Sequence, residues 1–317
     1  MDPREQWSGN VLDRARGALI GCAFGDALGA GYEFTYPAPS DEIGMIGGGI
    51  GPFAPGEWTD DTSMAIAVAR AAHSGLDLRA AAGLDAVAAG FLDWLRSEPK
   101  DIGNQTARVL HEAGPDAASM ARRASAITGL KGGNGSLMRT AAIGLAYLHD
   151  PEGCADAAAL VSDLTHDDER AREACQIWSS AIRHAVLTGT LDGARAYLDG
   201  VAGSTRSYWS PLFDQAETGS PADFASNGWV VHALQTAWWA ITTTDAGAPT
   251  HAHEAMERAV RAGRDTDTTA AITGMLVGAR WGASSLPDDL VAMLHGWPGL
   301  TAVDLGDLAE GIVASTR

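Results

Sequence analysis

Cysteine is nearly absent. The chain has three in 317 residues, Cys22, Cys154 and Cys175. They are odd in number, far apart and never in a CxxC pair, which excludes a disulfide framework and a thiolate zinc site. Positive charge is scarce as well: 22 Lys and Arg stand against 40 Asp and Glu, a formal net charge of −18. Nucleic-acid surfaces need clustered Lys and Arg, so no general one is expected, and a phosphate-bearing ligand has to find local cations or backbone N–H groups. Long apolar runs are missing too. No stretch reaches the roughly 18 residues of a membrane helix; the most apolar, 18–31, is interrupted by Asp26. The opening MDPREQWSGN is polar, without an apolar signal core. The expectation is a cytoplasmic protein with no membrane association.

Alternating, strand-like patterns are hard to find, and Val, Ile and Thr clusters are few beside abundant Ala. Hydrophobic content of 46% supports a sizeable core, and charged content of 20% argues against disorder. Apolar residues three and four apart predict helices over 14–31, 63–74, 80–96, 137–148, 169–187, 230–243, 253–262 and 269–281. Trp178, Trp238, Trp239 and Trp281 fall inside these patterns and are expected in the core. No repeat, low-complexity linker or composition shift marks a boundary. Residues 1–317 therefore read as a single compact all-α domain of many helices, for which a monomer is reasonable.

Glycine is placed with a pattern. Gly17, Gly21, Gly25 and Gly29 lie four apart, on one face of the first helix. Each costs up to about 1 kcal/mol relative to Ala inside a helix, so close approach of another helix or of a ligand is needed to offset it. Three irregular segments are candidate cleft walls. They are 36–58, with its GGGIGP string; 131–136, reading KGGNGS; and 203–228, read as a long polar loop carrying Tyr208, Trp209, Phe213 and Phe224.

Two segments share a design. Thr59-Asp60-Asp61-Thr62 opens the second predicted helix, and Asp265-Thr266-Asp267-Thr268 opens the last. Asp and Thr are good N-caps, and the helix dipole favours negative charge there. One side chain suffices for a cap, however, and each site supplies four with oxygens. Oxygen-only ligands suit Mg²⁺, Mn²⁺ or Ca²⁺ rather than zinc. Spacing alone leaves capping and a joint two-cation site both open.

Five segments in order resemble the ADP-ribosylglycohydrolase family, the group that includes dinitrogenase reductase-activating glycohydrolase. They are GALIG (17–21) running on to GDALG (25–29) with Tyr32-Glu33; WTDDT (58–62); DIGN (101–104); GGNGSLMR (132–139); and GRDTDT (263–268). Thr165-His166 and Asn227-Gly228-Trp229-Val230-Val231 resemble weaker family blocks, and the matches run from residue 14 to about 281. The resemblance implies an all-helical fold around a central cleft with two divalent cations, Mg²⁺ or Mn²⁺. It implies hydrolysis of the bond between the anomeric carbon of ADP-ribose and an acceptor, releasing ADP-ribose. Thr59, Asp60, Asp61, Asp265, Asp267 and Thr268 match the metal ligands, with Asp61 also counted among the catalytic residues. Glu33 matches an acid that covers the metals in some members and joins the reaction. Asp101 matches a carboxylate near the ribose, and Asn104 a neighbouring cleft residue. Gly133, Asn134, Gly135 and Ser136 match the loop that holds the phosphates, and His166 a cleft-lining histidine.

In a chain of charge −18, a Gly-rich loop flanked by Lys131 and Arg139 is a sensible diphosphate cradle. The resemblance favours Glu33 over Asp101 as general base. Asp26 is expected buried in a supporting role. Trp229 and Trp209 are candidates for stacking on adenine, and Arg264 for pairing with Glu57 or another acid. A non-catalytic ADP-ribose binder and a di-metal hydrolase of another nucleotide-sugar bond are the alternatives. The acceptor, whether arginine, serine, a nucleobase, a small molecule or an acetyl ester, is not readable.

Overall fold

The computed structural model describes residues 7–201, 203–248 and 250–316; the polar segment 1–6 lies outside them. In chain order the helices are α1 (Gly9–Gly29), α2 (Asp60–His73), α3 (Ala81–Arg96), α4 (Asn104–Leu110), α5 (Ala117–Ala126), α6 (Ala141–Ala146), α7 (Pro151–Asp163), α8 (Glu169–Thr188), α9 (Gly193–Gly200), α10 (Gly203–Thr218), α11 (Val230–Thr242), α12 (His251–Arg261), α13 (Thr266–Trp281), α14 (Asp288–Val291) and α15 (Ala302–Ser315). Two-residue strands, β1 (His295–Gly296) and β2 (Leu300–Thr301), form an antiparallel pair. The all-α expectation holds.

The glycine stripe sets the centre of the molecule. A Cβ on Gly17 would collide with the Gly278 carbonyl oxygen, one on Gly21 with that of Gly274, one on Gly25 with that of Ala270, and one on Gly29 with that of Thr266. The four glycines thus let the α1 and α13 backbones touch along their length, where any side chain would hold them apart. Both helices are buried on nearly every face. The contact fixes the first turn of α13 beside the last turn of α1.

Helix starts differ from the sequence reading in one respect that matters. α2 begins at Asp60 and α13 at Thr266, so Asp60, Asp61 and Asp267 lie inside first turns rather than ahead of them. The predicted helix 137–148 is two pieces: a 3₁₀ turn, Asn134–Arg139, and then α6, with Thr140 between.

The predicted loop 203–228 is overturned. Most of it is α10, with Pro211 inside, followed by a 3₁₀ turn, Pro221–Phe224. Trp209, Phe213 and Ala216, at helical spacing, bury one face of α10, and Phe224 is buried as well. Ser, Gly and Pro in 203–211 hid that face. Trp209 is fully buried and its Nε1 donates to Glu173 Oε2 at 2.8 Å, so it packs in the core and is no stacking surface. Arg264 does not pair with Glu57. Its Nε donates to the Tyr36 hydroxyl at 2.8 Å, while Glu57 takes Lys100 at 2.7 Å.

Candidate active site

Capping does not explain the two acidic segments. Thr59 is the N-cap of α2 and Asp265 that of α13, yet neither side chain makes a cap hydrogen bond. The carboxylates turn to one another instead. Asp61 Oδ2 accepts from Thr59 Oγ1 at 3.3 Å and from Thr268 Oγ1, on the other helix, at 3.3 Å. Asp61 Oδ1 is buried without any partner. Carboxylate oxygens of Asp26, Asp61 and Asp267 lie within 4.8 Å of one another, as do those of Glu33, Asp265 and Asp267. The two groups share Asp267, which places two ligand clusters side by side.

The supports are equally specific. Asp26 is buried in α1 and accepts from Thr59 N (3.0 and 3.1 Å), Thr62 N (3.0 Å) and Thr62 Oγ1 (2.6 Å), pinning the start of α2. Around α13, Asn227 does comparable work. Its Oδ1 accepts from Asp265 N at 3.3 Å, its Nδ2 donates to Gly263 O at 2.9 Å, and its carbonyl accepts Asn134 Nδ2 at 2.9 Å. Glu33 follows α1 through a 3₁₀ turn, Ala30–Tyr32. Phe34 N donates to Arg264 O, and Arg264 N to Thr35 O, which ties the Glu33 segment to the loop before α13.

Electrostatically the site is starved of positive charge. Among the described residues, no Lys or Arg ion-pairs with Asp26, Glu33, Asp60, Asp61, Asp101, Asp265 or Asp267. Burial, with Asp265 and Asp101 nearby, pushes the Glu33 carboxyl up to about 8. Burial, with Asp101 and Asp26, does the same for Asp60, also to about 8. Asp61 and Asp267 are held well above the ordinary carboxylate range by burial and by their acidic neighbours, and Asp265 is raised chiefly by burial. Buried like charges this close ionise together only when cations compensate them. Oxygen-only donors, an orphaned buried oxygen and the missing counter-charge together fit hard divalent cations.

Beside this cluster opens a cleft of about 450 Å³, lined by Glu33, Asp60, Asp265, Asp267 and Thr268. Asp101, Asn104, Gly133, Asn134, Gly135 and His166 line the same cleft. Of the residues expected to hold substrate, three sit differently. Asn134 Nδ2 donates to Asp265 Oδ2 at 2.8 Å as well as to Asn227 O, so its amide nitrogen is engaged in orienting a carboxylate. The Ser136 hydroxyl is buried beneath the loop, taking Ser162 Oγ at 2.9 Å. Trp229 is 40% exposed with its ring against His232, behind Gly132 and outside the cleft lining. His166 is in the cleft, and the helix that follows is capped by Asp168. Asn227 carried no role in the sequence reading; its only signal was membership of a weak block, since nothing local shows that it reaches Asp265.

Similarity to known proteins agrees with this geometry. The ADP-ribosylglycohydrolase family model matches residues 8–317. The ADP-ribosylarginine hydrolase Tri1 of Pseudomonas putida (strain GB-1) is 31% identical over 89% of this chain and 74% of its own. The ADP-ribosyl-[dinitrogen reductase] glycohydrolase of Rhodospirillum rubrum is 29% identical over 90% of this chain and 91% of its own. A solved structure described as an ADP-ribosylglycohydrolase-related protein complex superposes with a TM-score of 0.73 at 28% identity, covering 98% of this chain and all of that one. With the five ordered motifs and the converged acidic clusters, this establishes that the chain belongs to the ADP-ribosylglycohydrolase family and is a hydrolase of glycosyl bonds.

Proposed function

We propose that the protein is a divalent-cation-dependent hydrolase that frees ADP-ribose from an ADP-ribosylated protein side chain, with arginine as the acceptor. The observation that carries it is the convergence of Asp61 with Asp267, and of Glu33 with Asp265 and Asp267, beside a cleft that Asp60 also lines and into which no Lys or Arg projects. The relatives named above act on ADP-ribosylarginine and on ADP-ribosylated dinitrogen reductase, which supports the acceptor.

Thr59, Asp60, Asp61, Asp265, Asp267 and Thr268 are the residues that would hold two cations, Mg²⁺ or Mn²⁺. Bound there, such ions supply Lewis acidity toward ribose hydroxyls and toward water. The chain's own groups do the rest. Glu33 stands at the cleft wall beside Asp265 and Asp267. Ionised once the neighbouring acids are charge-compensated, its carboxylate takes a proton from water attacking the anomeric carbon, and can return it to the departing acceptor nitrogen. Asp101, whose Oδ1 is engaged by Ile102 N at 2.7 Å, faces the same space and is placed to orient a ribose hydroxyl. Gly133 and Gly135 present bare backbone to the cleft, suiting them to the diphosphate. Asn104 lies at the mouth of the cleft.

The test is chromatography of products from an arginine-ADP-ribosylated protein incubated with Mn²⁺ or with a chelator. Intact ADP-ribose appearing only with the cation supports the reading. Release that ignores the chelator overturns the cation dependence, and AMP as product overturns the bond assignment.

A further inference from the structure

Among the described residues Arg139 is the most deeply buried cation, with no exposed surface and no carboxylate within ion-pair distance, although the Asp60 charge acts on it from farther off. Its guanidinium lies 4.5 Å from the Phe91 ring centroid. Nη2 donates to Val161 O at 3.1 Å and to Thr165 Oγ1 at 2.7 Å. Burying an unpaired charge is costly, so the position calls for an account that core packing does not supply. Thr165 is the second link. It is fully buried, and its Oγ1 also lies 2.7 Å from His166 Nδ1.

Donor and acceptor arithmetic then favours one placement of the protons. A guanidinium only donates, so Thr165 Oγ1 must accept from Arg139. The hydroxyl has one proton of its own, and the only neighbour left for it is His166 Nδ1. With Nδ1 accepting, no buried proton lacks a partner, whereas an Nδ1–H would leave the Thr165 hydroxyl proton orphaned; this balance puts the ring's single proton on Nε2. Nε2 points toward the glycine loop of the cleft: a Cβ built on Gly133 or on Gly135 would lie 3.3 Å from it. Among the described residues it has no hydrogen-bond partner. The backbone holds the ring in place, since His166 N donates to Ser162 O at 2.8 Å and His166 O accepts from Asp168 N at 2.9 Å.

We propose that Arg139 and Thr165 are positioning residues that lock His166 as a neutral imidazole with its proton on Nε2, a fixed hydrogen-bond donor to an anionic oxygen of the ligand at the Gly133–Gly135 loop. This rests on the reading of the cleft as an ADP-ribose site. Burial and the nearby Arg139 also disfavour the imidazolium, holding the His166 pKa down to about 3. The ring is thus a donor by tautomer and no proton shuttle. In a cleft whose lining carries five carboxylates and no Lys or Arg, a neutral donor of fixed direction serves an anionic ligand at the glycine loop.

The experiment uses the full chain with ¹⁵N-labelled histidine. Ring nitrogen shifts are recorded by NMR, the His166 signals assigned by their absence from His166→Gln, and the affinity for ADP-ribose measured by calorimetry. The expected result is an Nε2–H, Nδ1-acceptor signature in the unaltered protein. In Thr165→Val that signature should be lost and ADP-ribose binding weakened roughly tenfold, the loss of about one hydrogen bond; Thr165→Ser should restore both. An Nδ1–H tautomer in the unaltered protein overturns the proposal, as does Thr165→Val with signature and affinity unchanged. Should Thr165→Val fail to fold, the unaltered tautomer and the affinity of His166→Gln decide. Neither readout needs turnover, so an inactive protein that binds ADP-ribose and shows the tautomer would sink the hydrolase reading and leave this inference standing.

Discussion

Thr268 Oγ1 donates to Asp61 Oδ2 at 3.3 Å, across 207 positions of sequence. That bond joins the first turns of α13 and α2, and with it two acidic segments that would otherwise be independent helix starts. Asp61 Oδ1, buried and unpartnered, is the clearest opening for a cation in the molecule.

Asp61→Asn and Asp267→Asn should each lower kcat by a thousandfold or so, the order expected when several kcal/mol of cation-borne stabilisation are lost. The thermal midpoint in chelator should hold or rise, because one of several crowded buried acids has been neutralised. The rise in midpoint on adding Mn²⁺ should disappear. Kinetics and paired melts, with and without Mn²⁺, check this.

The helix contact that carries Asp267 to α1 rests on glycine. Gly25→Ala places a methyl against the Ala270 carbonyl oxygen of α13. Forcing a methyl into packed backbone typically costs about 1–3 kcal/mol, and kcat should fall as well, because the cluster moves with the helices. Gly9→Ala, at the open start of α1, meets nothing within 4 Å and should be neutral or slightly stabilising. Denaturant titration of the two variants gives the comparison.

Asn134 and Asn227 should behave as supports of Asp265. Either residue changed to Ala should weaken Mn²⁺ binding by roughly 10–100-fold, the usual effect of removing a partner that orients a ligand. Asn227→Ala should also lower stability by about 1–3 kcal/mol, since the Gly263 carbonyl loses its buried donor. Calorimetric titration with Mn²⁺ separates this from a phosphate-binding role for Asn134, under which cation affinity would not change.

His166 makes a stability prediction with a definite sign. Its folded pKa is depressed to about 3 from an ordinary 6.5, so the unfolded chain binds its proton more readily. The stability this histidine contributes is complete above about pH 6.5 and falls as pH drops toward 3. Between about pH 6.5 and pH 5 the loss from this group is roughly 1.5 kcal/mol. His166→Gln should show an acid limb shallower by that amount in unfolding measured across this range.

Much of the site could be read from sequence because its parts are local strings. WTDDT and RDTDT each carry ligand-type oxygens within a few residues, and GGNGS announces an unusual backbone. The glycine spacing of α1 predicted a close partner, which proved to be α13. What stayed hidden depends on contacts across the chain. Asn134 looked like a loop residue facing a phosphate because its partner, Asp265, is 131 positions away. Asn227 and the Arg139–Thr165–His166 chain have no local signature for the same reason. The helix α10 was missed because its apolar face is short and its polar, Pro-containing sequence resembles a loop; only packing shows that Trp209 and Phe213 face inward.

The most direct test of the account is the product formed from an arginine-ADP-ribosylated protein with Mg²⁺, with Mn²⁺ and with a chelator. The account predicts intact ADP-ribose and unmodified arginine when a cation is present, and no release in chelator. AMP with ribose phosphate, or release that persists unchanged in chelator, would contradict it.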